Sequence, residues 1–273
     1  MRPCSFTETG TSEPLHDFER LALRNYPFLV TVVIVLVVAG TLPHLQHSVR
    51  WDWQWGTGFA LLLLAYPLSL LVAMRATPVV RALAGNGVAV LPDQLDPSLA
   101  RLHRIAAGYA RYGGWSVAAL IAVAWAVVIA QWQADGSRMF TGNVAAAFLE
   151  TAGGLLAGRF IGRVLFFSGL PLRLRGLGVR WEPQRGHPDG FAGFRPFLGL
   201  LAHCLSLVLL IAAYLSAWML LITFAPRFSR HAAWYTPYMF FLALMIIVGL
   251  AVMIHGTWAL WRALRPPVPD ESR

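Results

Sequence analysis

Residues 196–224 read PFLGLLAHCLSLVLLIAAYLSAWMLLITF, without a single charged side chain. A helix needs ~20 apolar residues, at about 1.5 Å each, to cross ~30 Å of hydrocarbon, so this run predicts a membrane crossing. The other spanning solution, a closed β-barrel, needs strands that alternate apolar and polar residues. Runs such as 30–38 (VTVVIVLVV) do not alternate. Five more stretches reach the required length: 27–45, 56–74, 113–132, 143–168 and 235–261. The expected fold is all-α, a polytopic transmembrane helix bundle of about six spans.

Composition agrees. The 273 residues are 57% hydrophobic and 13% charged, with mean hydropathy +0.58, against about 25% charge in a soluble domain. There is too little polar surface to cover a water-exposed globule. The net charge of +9 would suggest nucleic acid in a soluble protein. In a membrane protein it matches an anionic cytoplasmic leaflet. The expected partner is therefore the bilayer with its anionic headgroups, not nucleic acid. All 22 basic residues are Arg, a compositional habit rather than a choice made site by site. Cys4 and Cys204 form no disulfide or zinc pattern.

Arginine placement predicts the orientation. Sixteen arginines fall in the amino-terminal segment, the second and fourth connections and the tail. Four, Arg50, Arg138, Arg227 and Arg230, fall on the opposite side. Positively charged connections stay in the cytoplasm, so both termini are expected there, in a bacterial inner membrane. The organisation is then a cytoplasmic segment 1–26, a membrane domain 27–261 with cytoplasmic loops 75–112 and 169–195, and a cytoplasmic tail 262–273. Glu8, Glu13, Asp17 and Glu19 make the first segment unlike a basic leader, and the first span reads as a signal anchor. Asp96-Pro97 caps a helical stripe of Leu99, Leu102, Ile105, Ala106 and Tyr109. It predicts either a surface helix or an extension of the third span. The segment Leu170-Pro-Leu-Arg-Leu-Arg175 is expected at the headgroups.

The fourth span carries the unusual residues. Gly154, Gly158 and Gly162 recur every four positions and predict close helix packing, within the chain in preference to a homo-oligomer. Glu150 lies about two turns in and is a candidate proton or cation site, because such groups face a bundle interior or a wet cavity. Arg159 and Arg163 share one face and are expected to snorkel to the headgroups. His203 and His255 fall at similar depth on the last two spans. They are read as hydrogen-bonded core residues. The alternative is a haem held by both, or a metal held with Cys204. No cofactor is expected.

The string Gly186-His-Pro-Asp-Gly-Phe-Ala-Gly-Phe194 resembles the His-Pro-Asp signature of J domains. Gly176, Gly178 and Pro183 break the basic helix such a domain needs. The string is also similar to a His-Pro-Asp-Gly segment that precedes a membrane span in some bacterial membrane proteins, a resemblance that implies no activity. Physically it predicts a tight turn, with Phe191, Phe194 and Phe197 at the lipid interface. His187 and Asp189 are the candidate acid–base pair if it is a site. No nucleotide, hydrolase-elbow or zincin motif is present. The leading expectation is a non-enzymatic membrane component that binds a partner, senses or acts as an effector subunit, working through its loops. The alternative is a small transporter or channel built on Glu150. The third is a membrane enzyme acting on anionic headgroups with His187, Asp189, Arg159, Arg163 and His203.

Overall fold

The structure, a computed structural model, describes residues 53–91, 95–134, 141–184, 186–224 and 235–265. The expected first span at 27–45, the segment before it and nearly all of the tail lie outside the described residues. The elements are α1 (Trp53–Gly85), β1 (Ala89–Val90), α2 (Leu95–Ala134), α3 (Thr141–Ser168), α4 (Leu170–Arg175), β2 (Arg180–Trp181), α5 (Arg195–Phe224) and α6 (Tyr235–Leu264). The chain is an all-α membrane protein. Among the described residues four helices are long and apolar enough to cross a bilayer: α1 over Tyr66–Gly85, α2 over Pro97–Gln131, α5, and α6 over Met239–Leu264. α3, which carries Glu150, Arg159 and Arg163, is not among them.

Side-chain exposure gives the physical reason for a lipid setting. Val123, Leu209, Leu220, Ile247 and Ile254 all stand outward, Ile254 at 66% exposure. Apolar surface on this scale, continuous over several helices, has no stable place in water. Arg262 stacks on Trp258 at 4.5 Å and Arg265 on Trp261 at 3.5 Å at the end of α6. These are the amphipathic pairs that settle at a bilayer interface.

The core gathers five helices at one end of the bundle and continues between α5 and α6. It gathers Val72, Ala76, Val80 and Leu83 of α1, Leu99, Leu102 and Ala106 of α2, and Phe160, Val164, Phe166 and Phe167 of α3. Leu170 and Leu174 of α4 and Phe197, Leu200 and Cys204 of α5 join it, and it continues through Val208 and Leu215 of α5 and Met245 and Val252 of α6. α2 is one unbroken helix from Leu95 to Ala134, about 60 Å long at 1.5 Å per residue. The stripe beginning at Leu99 is thus the lower part of the same rod, with Leu99, Leu102 and Ala106 buried against protein. Two expectations for this end need correction. Phe194 and Phe197 are fully buried, and Phe194 packs on Trp181 with 5.5 Å between ring centres; of the three phenylalanines only Phe191 is exposed. In the headgroup segment, Leu170, Pro171 and Leu174 turn into the core and leave Arg175 exposed.

Two turns of the same design close this end. After α1, Val88 N donates to Leu83 O and Gly87 N to Ala84 O, with Gly87 at φ +70. After α4, Val179 N donates to Leu174 O and Gly178 N to Arg175 O, with Gly178 at φ +88. Both are Schellman closures, which require a left-handed residue that glycine adopts freely. Each delivers a two-residue strand. β1 and β2 pair antiparallel, Ala89 with Trp181 and Val90 with Arg180. The connections on either side of the α2–α3 pair are thereby joined at one end of the bundle.

Candidate functional site

The β1–β2 pairing clasps the connections after α1 and α4 together, and the turn 186–194 locks this clasp. Asp189 Oδ1 accepts from Phe191 N and Gly193 N, both at 2.9 Å, and Oδ2 accepts from Arg195 N at 3.2 Å, the first residue of α5. His187 Nδ1 lies 3.0 Å from Asp189 Oδ1. Positive φ at Gly186, Gly190, Ala192 and Gly193 turns these backbone N–H groups inward to form a nest, and the carboxylate fills it. Desolvation works to raise the Asp189 carboxyl. The Gly193, Phe191 and Arg195 N–H groups and the His187 ring outweigh it and hold the group well below the usual carboxylate range. The turn grips its neighbour as well. Asn86 Nδ2 donates to Gly193 O at 3.1 Å, and Gln184 Nε2 to Gly87 O at 3.3 Å. A carboxylate so occupied is a weak base. Its evident work is to hold the turn.

Inside the bundle the polar residues divide between different neighbours. Glu150 is half-buried and accepts from Trp125 Nε1 of α2. Arg159 Nη1 donates to Tyr66 Oη of α1 at 3.4 Å, and the Arg163 guanidinium lies 5.5 Å from the centre of the same ring. Arg163 is only 2% exposed. The expectation that it snorkels out is therefore corrected: the tyrosine face provides a cation–π partner inside the bundle. The glycine stripe is absorbed by packing against α2. A Cβ on Gly158 would collide with Gly113 O, and one on Gly162 would stand 2.5 Å from Tyr109 O.

The two histidines differ in their contacts. His255 Nδ1 is 3.3 Å from Ser168 Oγ, and its ring lies over Gly169. His203 Nε2 has no hydrogen-bond partner among the described residues. No group of three metal-ligating side chains occurs among the described residues. The acid–base pair His187–Asp189 sits in the turn, whereas the arginines Arg159 and Arg163 sit around Tyr66.

A feature that sequence reasoning missed is a cavity of about 430 Å³ bounded by α2, α3, α4 and α6. Arg173 lines it, stacked on Tyr109 at 4.8 Å and on Phe166 at 5.3 Å. His255, Tyr112 and Ser116 share the lining. Another missed contact is that of Thr77 Oγ1 with buried His103 Nε2 at 2.9 Å. Helical spacing carries no trace of such cross-helix partners. No family model, curated protein or solved structure matches this chain.

Proposed function

We propose that the chain is a six-span inner-membrane protein with both termini in the cytoplasm, acting as a non-enzymatic component through a cytoplasmic cap. The cap is the joined pair of loops, 75–112 and 169–195. The observation that carries this reading is the nested Asp189 carboxylate. It spends the most chemistry-like motif of the chain on fixing a surface, and a fixed surface is what a partner-binding or sensing subunit presents. The arginine bias supplies the sidedness.

A second reading, a small transporter or channel, is favoured by Glu150 and its Trp125 donor, an ionisable group kept half-buried along a helix of the bundle. Substitutions separate the two. In complementation of a deletion strain, Asp189→Ala should lose the phenotype and Glu150→Gln keep it; the reverse pattern assigns transport. Sidedness is tested with an impermeant maleimide on intact cells. Gln131→Cys should label, while Ala100→Cys and Glu182→Cys should react only after lysis. Labelling of Glu182→Cys in intact cells would overturn the orientation.

A further inference from the structure

The cavity between α2, α3, α4 and α6 brings a cation, hydrogen-bonding residues and apolar walls together beside the α2–α3 contact. Its floor is bare backbone, at Gly113 and Gly162, where α2 and α3 touch so closely that a Cβ on Gly113 would stand 3.4 Å from Gly162 Cα. Ile161 and Leu165 make its walls apolar, and no acidic side chain lines it. At one end stands Arg173. Two aromatic faces hold its guanidinium, its buried Nε has no hydrogen-bond partner, and it makes no ion pair among the described residues. Tyr109, Tyr112, Ser116 and His255, all of which carry hydrogen-bonding groups, line the same cavity. Tyr112 is 77% exposed, so the cavity is open at the surface of the bundle.

A positive charge without a counter-ion among the described residues, set over an apolar cleft open at the bundle surface, matches one kind of molecule. We propose that this cavity is a lateral binding site for an anionic phospholipid, with the headgroup phosphate on Arg173 and an acyl chain along the Gly113–Gly162 floor. The planar fork of Arg suits phosphate oxygens, and the size falls within the range of small-ligand cavities, roughly 300–1,000 Å³. The inference goes beyond the proposed function and shares only the membrane setting with it. Binding to the purified chain does not depend on which side α4 faces.

The test is native mass spectrometry of the full chain in detergent, titrated with phosphatidylglycerol or with phosphatidylcholine. The wild type should retain phosphatidylglycerol in preference. Arg173→Gln should reduce that preference about fivefold, the factor for one basic contact with anionic lipid. Arg265→Gln, which removes an exposed arginine elsewhere, should leave it unchanged. Ser116→Trp fills the rim without touching the cation. It should also reduce retention, and it decides the matter if Arg173→Gln does not fold. Equal retention of the two lipids, or a folded Ser116→Trp with wild-type preference, overturns the site. So does an equal loss in Arg265→Gln. Displacement of phosphatidylglycerol by millimolar inorganic phosphate would reassign the cavity to a soluble anion and overturn the lipid occupant.

Discussion

Gly158 and Gly113 set the distance between α3 and α2: the backbone of each helix occupies the place where the other's side chain would begin. Gly114 and Gly162 extend the same contact on either side. Helices in lipid gain little from burying apolar surface against each other, so such close backbone approach is a main source of their association.

Adding one methyl group should therefore be costly at this point and harmless where a helix glycine faces open space. Gly158→Ala should lower stability by ~1–3 kcal/mol through overpacking. Gly199→Ala, where a Cβ meets nothing within 4 Å, should be neutral or stabilising by up to ~1 kcal/mol from helix propensity. Thermal unfolding in detergent reads the difference. Equal midpoints for the two variants would sink the packing account.

Tyr66 serves two arginines with different parts of its side chain. Tyr66→Phe removes the hydroxyl that receives Arg159 but keeps the ring beside Arg163. It should cost ~0.5–1.5 kcal/mol, one hydrogen bond. Tyr66→Leu removes the ring as well and should cost a further ~0.5–2 kcal/mol. If Phe and Leu variants unfold together, the ring is not what makes the buried Arg163 tolerable.

The Asp189 nest has a defined pH response. The carboxyl of the folded chain sits below its unfolded value, so its contribution is fully present above the ordinary carboxylate range, about pH 4. It is lost only as pH falls through the lowered folded value. Limited trypsin cleavage between Arg180 and Arg195 should thus be flat from pH 8 down to pH 6 in the wild type. Asp189→Ala should be cut several-fold faster throughout that range, because four hydrogen-bonding partners lose their acceptor. A variant as resistant as the wild type would show that the glycines alone hold the turn.

The pairing of Val90 with Arg180 gives a covalent test of the clasp. Antiparallel partners stand ~4.5–5.5 Å apart at Cα, inside the range that a disulfide bridges. Val90→Cys with Arg180→Cys should therefore oxidise spontaneously, and a non-reduced digest should contain the linked peptides. Free thiols after mild oxidation would refute the register.

Helix limits were legible where lipid alone decides them. The runs expected at 143–168, 196–224 and 235–261 became helices at Thr141–Ser168, Arg195–Phe224 and Tyr235–Leu264, because Arg, Pro and aromatic residues punctuate their ends. The runs expected at 56–74 and 113–132 are far longer as helices, extending to Gly85 and back to Leu95. Hydropathy registers only a lipid solvent, and these extensions bury one face against protein while arginines stand on the other. The same ambiguity explains Phe194 and Phe197, since an apolar side chain near a membrane suits lipid and core equally. At the candidate site the tight turn was foreseen from Pro188, Asp189 and Gly190. The clasp was not, although Gly85-Asn-Gly-Val88 and Gly176-Leu-Gly-Val179 repeat one pattern that encodes its two Schellman turns. Arg173 was read as a surface charge, because nothing in its own helix announces the rings of Tyr109 and Phe166.

The β1–β2 ladder also imposes an order on biogenesis. Val90 leaves the ribosome long before Arg180, so its partner edge stays bare while α2 and α3 are made and packed together. Closing the ring costs loop entropy that grows only slowly with the intervening length, so the delay is kinetic rather than energetic. A stalled chain ending before Arg180 would present that open strand to the insertion machinery, and a completed one would withdraw it.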